Sequence, residues 1–307
     1  MLTRTRSLQA VLNISGDRRL PETTAEYRVI IGDSRRMLEL ADNSVHLVVT
    51  SPPYPMVSIW DDFFLEESAQ SYDQMHDYLN KTWKEVKRVL VSGGIACINI
   101  GDATRTKDGM FHLYPNHSRV IESFEQLGLV TLPYLLWKKP TTKPRYKGKG
   151  AFLGSGFLPP NAYVTLDMEY ILIFRKGNLR SFEPKDPKRY KSKFNKKERD
   201  EWFSQVWTVT GARQTHGGLE RRVAAFPEEI PRRLIRMFSI ESDLVLDPFL
   251  GSGTTLKVTM DLNRRFVGYE KLEDFSRIIR ERMGQESERI LFQKQPVLEQ
   301  ISSALTA

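Results

Sequence analysis

The residues best suited to chemistry are Ser51, Pro52, Pro53 and Tyr54, which follow the apolar run 45–50. That run predicts a buried strand of a parallel sheet. The prolines fix φ near about −65° and remove two backbone donors, so the chain leaves the strand in a stiff turn. The turn offers a hydroxyl, carbonyl oxygens and a ring at the carboxyl end of a strand, where open α/β sheets bind ligands. Alone, such a tetrapeptide is more often a simple surface turn.

A second candidate site is the segment DPFLGSGTT (247–255), which joins a predicted buried strand to a predicted helix. Gly251 and Gly253 permit a tight turn and the close approach of a ligand. The helix N-terminus offers N–H groups to a carboxylate or phosphate. The segment matches neither a P-loop nor the dinucleotide fingerprint. Glu270 ends the next predicted strand, where doubly wound folds place an acid that accepts ribose hydroxyls. This spacing favours a nucleoside cofactor that bears an amino-acid carboxylate.

Strands and helices alternate around these two segments, which is typical of an α/β fold. Short apolar runs predict strands at 27–33, 45–50, 95–100, 130–137, 169–174, 243–247 and 265–270. Apolar spacing of three and four residues, or flanking turn signals, predict helices at 34–40, 72–90, 116–127, 227–238, 254–262 and 273–283. The tail after residue 293 carries little signal.

The formal net charge of +8 indicates a polyanionic partner. Lysine and arginine are concentrated in two runs, 138–149 and 180–199. These cations would contact phosphates, and Tyr146, Phe152 and Trp202 would stack on bases. A solvated surface explains the second run equally well.

The bulk of the chain is typical of a globular protein of the cytoplasm. Its 307 residues contain no run that approaches the roughly 18 apolar residues of a membrane span. The N-terminus has no continuous apolar core, which argues against a secretory signal. The single cysteine, Cys97, excludes an internal disulfide, and its apolar neighbours predict a core position.

Three motifs occur in the order TSPPY (50–54), FPEEIP (226–231) and DPFLGSGTT (247–255). In this order they resemble the class β amino-methyltransferases of DNA, particularly the N4-cytosine branch. The resemblance covers about residues 27–285 and includes VIIGD (29–33), LLWKKP (135–140) and EYILIFRKG (169–177). It implies a Rossmann-like, S-adenosylmethionine-dependent methyltransferase fold with a circularly permuted, mostly parallel sheet and an inserted target-recognition region.

The resemblance also implies a domain order and partners. The parts are an N-terminal arm 1–26, a catalytic half 27–137, a target-recognition region 138–225 that includes the core strand 169–176, a cofactor-binding half 226–290 and a tail 291–307. The implied substrate is double-stranded DNA, in a restriction-modification or epigenetic role. A homodimer and a separately acting restriction endonuclease remain open.

Site roles are likewise implied by the resemblance. The target base would be held by Ser51, Pro52, Pro53 and Tyr54. S-adenosyl-L-methionine would be held by Asp33 near the adenine, Phe226 and Pro227 on the methionine side, Asp247, Phe249, Gly251, Gly253 and Thr254 around the pocket, and Glu270 at the ribose. Helix capping is the alternative role for Asp33 and Asp247.

The chemistry of an exocyclic amino group explains the opening motif. Its lone pair is delocalised into the ring, so two acceptors, the Ser51 hydroxyl and the Pro52 carbonyl, would draw the nitrogen toward tetrahedral geometry. The base must leave the duplex to reach this turn, and Tyr54 would stack on it. Serine rather than aspartate at position 51 favours cytosine, while adenine-N6 methylation and a non-catalytic DNA-binding protein are the alternatives.

The residues that follow the turn have two interpretations. Trp60, Asp61 and Asp62 could form a mobile loop over the flipped base. Alternatively, Trp60 packs into the core and the segment is structural.

Overall fold

A nine-stranded sheet forms the centre of the computed structural model, which describes residues 26–140, 164, 166–211 and 226–296. Its strands lie in the order β11-β1-β10-β9-β2-β3-β7-β6-β8, and a separate hairpin contains β4 and β5. The strands are β1 (Tyr27–Ile31), β2 (Val45–Thr50), β3 (Leu90–Ile100), β4 (Ala103–Lys107), β5 (Met110–Tyr114), β6 (Val130–Lys138), β7 (Met168–Arg175), β8 (Val206–Thr208), β9 (Leu244–Asp247), β10 (Arg265–Glu270) and β11 (Ile290–Lys294).

Among these described strands, β7 runs antiparallel to its neighbours β3 and β6, and the other pairs of the sheet are parallel. The predicted α/β fold with a mostly parallel sheet is therefore confirmed. Alternate residues of β2 enter the two apolar clusters on opposite faces: Val48 lies in one, and Leu47 and Val49 in the other. A strand buried on both faces explains why its sequence is continuously apolar. Cys97 is fully buried, as predicted.

The helices cover both faces of this sheet. They are α1 (Asp61–Glu66), α2 (Tyr72–Val89), α3 (Asn116–Gln126), α4 (Pro187–Lys191), α5 (Lys196–Trp202), α6 (Glu229–Phe238), α7 (Thr254–Asp261) and α8 (Phe275–Met283). The long helix α2 begins at a capping box, in which Ser71 and Gln74 bond each other's backbone N–H groups. None of the helices in these described ranges is long and apolar enough to cross a membrane.

The pairing of β2 with β9 brings the two candidate sites together. Leu47 lies opposite Val245, and Val48 opposite Leu246, although the strands are about 200 residues apart in the chain. Because the strands are parallel, the turn after β2 and the glycine loop after β9 leave the sheet at the same edge. This edge, where β1, β2, β3, β9 and β10 end, is called the carboxyl edge below.

The prediction of a helix at 34–40 was wrong. The segment forms successive turns, in which the backbone N–H of Arg36 bonds the Asp33 carbonyl and that of Leu40 bonds the Met37 carbonyl. Side chains bond two further N–H groups: Asp33 accepts from the Arg35 N–H at 2.9 Å, and Glu85 accepts from the Met37 N–H at 2.8 Å. Such local bonds compete with a helix.

Several described elements had no counterpart in the sequence prediction. They are the β4–β5 hairpin, the short helices α1, α4 and α5, the edge strand β8, and β11. The last strand pairs in parallel with β1, and the Gln295 side chain beyond it accepts from the Asp33 N–H at 2.8 Å. The part of the tail that the structure describes therefore belongs to the sheet.

The second basic run lies away from the carboxyl edge. It follows the antiparallel strand β7, and Arg180 pairs with Asp243 at 2.6 Å, just before β9 begins. Its cations thus begin at the opposite edge of the sheet, which favours the interpretation as a solvated surface. The predicted stacking of Trp202 on bases was wrong, because the ring is 8% exposed and packs against Phe194. Tyr146 and Phe152 lie outside the described residues.

Candidate functional site

A cavity opens at the carboxyl edge and is shared by the two motifs. Ser51 and Pro53 contribute from the turn after β2, and Phe249, Gly251 and Glu270 from the glycine loop and the end of β10. Asp33, after β1, lines the same cavity. Residues of both motifs therefore meet in one place, as expected for strands that end at one edge.

The Glu270 carboxylate lines this cavity and is held by two backbone N–H groups. Its Oε2 accepts from the Gly251 N–H at 2.8 Å, and its Oε1 accepts from the Leu272 N–H at 2.9 Å. Burial raises the pKa of this carboxyl to about 7, against the lowering effect of the backbone N–H groups. Each oxygen keeps further lone pairs, so the carboxylate is held ready to accept from two neighbouring hydroxyls.

The two glycines of the loop differ in what surrounds the position that a Cβ would take. Gly251 has φ of 53°, lines the cavity, and a Cβ there would meet no atom within 4 Å. Gly253 has φ of 82°, and its Cβ would lie 3.3 Å from Ile279 and Met283 of α8. Gly251 thus leaves room at the cavity, whereas Gly253 permits the close packing of two helices.

Thr254 belongs to that packing contact and does not line the cavity. It is the first residue of α7 and is 5% exposed. Its hydroxyl oxygen accepts from the Arg282 guanidinium at 3.0 Å. Its predicted contact with a cofactor stays a prediction.

Asp247 lies beneath the cavity and connects the motifs. Its Oδ1 accepts from the Thr50 hydroxyl at 2.6 Å and from the Phe249 N–H at 3.1 Å, and its Oδ2 accepts from the Thr255 hydroxyl at 2.6 Å. The residue is 2% exposed, and burial raises its pKa to about 6. The alternative helix-capping role was wrong, because α7 begins at the N-cap Gly253 without a side-chain cap bond. The contacts of Asp247 instead tie the last residue of β2 to the glycine loop and to α7.

Asp33 lies at the far wall of the cavity, with its carboxylate in an ion pair with Arg35. The Arg35 Nε lies 2.9 Å from each of its oxygens. Lys271 lies 3.8 Å away on the other side. The Asp33 carboxylate also accepts from the Arg35 N–H at 2.9 Å, within a turn and not at the start of a helix, so the alternative helix-capping role was wrong. Its position near the adenine stays a prediction.

Phe226 and Pro227 lie elsewhere in the described part of the chain. Phe226 is 7% exposed and packs in the apolar cluster that contains β9 residue Val245. Neither residue is among those that line the cavity. Their contact with a cofactor stays a prediction.

The turn after β2 carries a polar network that the sequence did not indicate. The Ser51 and Tyr54 hydroxyl oxygens are 3.1 Å apart. The Tyr54 hydroxyl donates to Glu169 Oε2 at 2.9 Å and accepts from Asn99 Nδ2 at 2.7 Å. Lys139 pairs with the other oxygen of Glu169. The Tyr54 ring is 9% exposed, so the structure brings its hydroxyl, rather than an open ring face, to the site.

A buried asparagine fixes the same turn from below. Asn116 Nδ2 donates to the carbonyls of Pro55 and Gly101, each at 2.9 Å, and its Oδ1 lies 3.2 Å from His76 Nε2. Burial lowers the pKa of His76 to about 4, so its ring is neutral and Nε2–H is the donor. Met56 follows with φ of 62°, a strained value for a residue with a side chain. The sequence carried no signal for this brace, because the burial of Asn116 is visible only in the structure.

The segment after the turn is structural, and two of its residues also line the cavity. A mobile loop over the flipped base stays a prediction. Trp60 lines the cavity and packs edge-on against Phe63 at 6.2 Å between ring centroids. Asp61 pairs with Arg105 of the β4–β5 hairpin. Asp62 lines the cavity. The contacts of Trp60 with the apolar core support the structural interpretation, while its position makes it a wall of the cavity.

Comparisons with known proteins identify the family. A family model for DNA methylases (N6_N4_Mtase) matches residues 45–281. The Type II methyltransferase M.MjaI of Methanocaldococcus jannaschii is 56% identical over 292 residues, 88% of this chain and 95% of that protein. M.MthZI of Methanothermobacter thermautotrophicus is 46% identical over 277 residues, 84% of this chain and 77% of that protein.

Solved structures agree with the sequence relatives. A DNA modification methylase of Thermus thermophilus, TTHA0409, crystallised with S-adenosyl-L-methionine, is 31% identical with a TM-score of 0.69 and covers 88% of this chain and 99% of its own. PvuII DNA methyltransferase (cytosine-N4-specific) has a TM-score of 0.61 at 18% identity, covering 92% and 94% of the two chains. The second likeness shows the shared fold.

Proposed function

Because the chain belongs to the DNA methylase family, whose members use S-adenosylmethionine, we propose that it methylates the N4 amino group of cytosine in double-stranded DNA. The choice of cytosine rests on the residue type at position 51, which lines the cavity. Here the residue directly after β2 has a serine hydroxyl, not a carboxylate. Within this family the resemblance to the SPPY branch favours cytosine.

The cavity fits S-adenosylmethionine. Glu270 presents two oriented acceptors to ribose hydroxyls, and the open space over Gly251 lets the backbone approach the ligand. We place the adenine near Asp33 and the apolar wall of the cofactor site at Phe249, with Phe226 and Pro227 on the methionine side. Bound here, the cofactor supplies an electrophilic methyl group on a sulfonium. Positioning it against the amine should supply most of the acceleration.

The turn after β2 holds the base. The Ser51 hydroxyl and the Pro52 carbonyl accept from the amino group and draw its lone pair out of conjugation. Pro53 lines the cavity and, with Pro52, keeps the turn rigid. Tyr54 positions Ser51 through its hydroxyl, since its ring is buried.

The experiment that tests the base is nucleoside analysis. Unmodified genomic DNA is incubated with protein and S-adenosylmethionine, digested, and separated by mass spectrometry. We expect N4-methylcytosine. If N6-methyladenine alone appears, the proposed base is wrong, and adenine-N6 methylation replaces it.

Replacement of the serine tests its role separately. Ser51→Ala should lower the rate of methyl transfer by about 100-fold or more, the range of a lost stabilising group at a reacting centre. Cofactor affinity should stay the same. The matched control is Ser118→Ala, whose exposed hydroxyl bonds only its own helix turn. A wild-type rate in Ser51→Ala would refute the mechanism, and DNA binding without any methyl transfer by the unaltered protein would favour a binding protein.

Target recognition is proposed for the region 138–225. Its first residues and the segment after β8 both lie at the carboxyl edge of the sheet. Lys138 and Lys139 close β6 at the carboxyl edge, and Val209 follows β8 at the same edge, where its carbonyl accepts from Trp137. Replacing the region with that of a relative should change the methylated sequence. An unchanged sequence would refute the assignment. A restriction-modification role, with a separately acting endonuclease, is proposed from the Type II relatives, and a homodimer is tested by light scattering.

A further inference from the structure

Glu169 lies at the end of a continuous hydrogen-bond chain that begins at the cavity. Starting from Ser51, the chain passes through the Tyr54 hydroxyl, 3.1 Å away, to Glu169 Oε2, 2.9 Å further on. Asn99 Nδ2 bonds both the Tyr54 oxygen, at 2.7 Å, and Glu169 Oε2, at 2.8 Å. Lys139 pairs with Glu169 Oε1. The network joins four strands or their ends, β2, β3, β6 and β7.

The chemistry of the members fixes the direction of every bond in this chain. A carboxylate only accepts, so the Tyr54 hydroxyl must give its proton to Glu169. The Tyr54 oxygen has two lone pairs, and Asn99 occupies one of them. The other is left for Ser51, whose hydroxyl must therefore donate to Tyr54. Both lone pairs of the Ser51 oxygen then remain for a donor in the cavity.

The donor order from Ser51 through Tyr54 to Glu169 also suits the removal of a proton from the target amine. Burial, together with the nearby Glu169 charge, raises the pKa of Tyr54 well above its ordinary value, so the phenol stays protonated and can only relay. The Lys139 side chain is 40% exposed. Lys139 therefore links Glu169, at the buried end of the hydrogen-bond chain, to solvent.

We propose that Glu169 is a positioning residue that orients Ser51 as an acceptor toward the target amine and finally receives the proton that the amine releases. The inference rests on the proposed methylation of an amino group, although cytosine and adenine would serve equally. It adds a residue outside both sequence motifs to the reaction.

The proton movements balance. Methyl transfer forms the N–C bond, breaks the C–S bond with its electron pair going to sulfur, and leaves a positive charge on the amine nitrogen. One N–H proton then passes to the Ser51 oxygen as the Ser51 proton passes to Tyr54 and the Tyr54 proton to Glu169. The amine becomes neutral, and Glu169 becomes a carboxylic acid that returns its proton to water.

The test measures single-turnover methyl transfer to unmodified genomic DNA at saturating cofactor, for Glu169→Gln, Tyr54→Phe and the double variant. Glu169→Gln removes the terminal acceptor, and its amide could donate to Tyr54 and reverse the chain. We expect each single variant to transfer about 100-fold more slowly. The double variant should be no slower than the slower single one, because both break the same chain. Affinities for S-adenosylmethionine and DNA should stay within about twofold.

Two further variants separate this role from a structural one. Glu169→Asp keeps a carboxylate and should recover part of the rate, whereas Glu122→Gln, on the exposed face of α3, should transfer at the wild-type rate. A wild-type rate in Glu169→Gln, multiplicative losses in the double variant, or weakened cofactor and DNA binding at an unchanged saturated rate would each overturn the inference. If the unaltered protein methylates only adenine, the proposed base fails, and the same variants still decide the role of Glu169.

Discussion

Glu270→Gln should weaken cofactor binding and, at the same time, stabilise the ligand-free protein above neutral pH. Burial raises the pKa of Glu270 from 4.5 to about 7. A shift of this size corresponds to at most about 3 kcal/mol between the two protonation states. The folded protein binds this proton more tightly than the unfolded chain does. The contribution to stability is therefore fully present below about pH 4.5 and is lost as the pH rises through about 7.

Glutamine cannot ionise, so the variant lacks this loss. Its free energy of unfolding should exceed that of the wild type by an amount that grows between about pH 5 and 8 and approaches 3 kcal/mol. The charge of Asp247, whose own pKa is raised to about 6, is one of the causes that raise the pKa of Glu270. Removing the Glu270 charge relieves this repulsion, which changes the stability of the variant in the same direction. Urea denaturation over this pH range gives the difference directly.

Cofactor affinity should change in the opposite sense. Hydrogen bonds to a charged group contribute about 1.5–3 kcal/mol each, so the variant should bind S-adenosylmethionine at least about tenfold more weakly at pH 8. Wild-type affinity should rise as the pH rises through about 7, because the ribose hydroxyls bond the ionised form, and the variant should lack this dependence. Isothermal titration calorimetry measures both.

The matched control is Glu273→Gln, which removes an exposed carboxylate three residues later. It should leave the cofactor affinity and its pH dependence unchanged. If Glu270→Gln binds the cofactor as tightly as the wild type, or if wild-type affinity is flat across pH 7, the reasoning about this carboxylate is refuted.

Four further substitutions test the supports of the site. Thr50→Val removes a buried bond to a carboxylate and should cost about 1–3 kcal/mol of unfolding free energy, whereas Thr131→Val, at an exposed bond, should cost almost nothing in the same urea titration. Asn116→Ala leaves two carbonyls without their donor and should lower both the melting temperature and the saturated rate; an unchanged rate would show that the turn needs no brace. Both Gly251→Ala and Gly253→Ala should lower stability, because both glycines have a positive φ. Gly253→Ala should lower it more, since only its Cβ meets another helix, whereas Gly251→Ala should show the larger loss of cofactor affinity in calorimetry. The reverse pattern would contradict the glycine assignments.

The elements that the sequence predicted well are those with a strong local pattern. The strands at 45–50 and 265–270 have the predicted bounds, and the helix that begins at Tyr72 differs by one residue at its end. Burial on both faces imposes continuous apolar runs on central strands, and a helix covering a core imposes a spacing of three and four residues. The three motifs and their order were enough to identify the family and, through it, the cofactor.

The missed elements have weak or ambiguous local patterns. The helix expected at 34–40 is replaced by turns because Asp33 and Glu85 bond its backbone, and Glu85 is distant in the chain. β11 has an apolar core of only three residues and is stabilised by its pairing with β1. Neighbours that supply such bonds are not visible in a window of ten residues.

The sequence by itself determined the alternation of strands and helices, the stiff turn after β2 and the glycine loop after β9, since these depend on the conformational preferences of neighbouring residues. Only the tertiary structure decided that Asp247 lies beneath the cavity, that the Tyr54 ring is buried, and that the second basic run starts at the opposite edge. Above all, it joined Tyr54 to Glu169, 115 residues away. Contacts over such distances depend on how strands are ordered in the sheet, which no local pattern specifies.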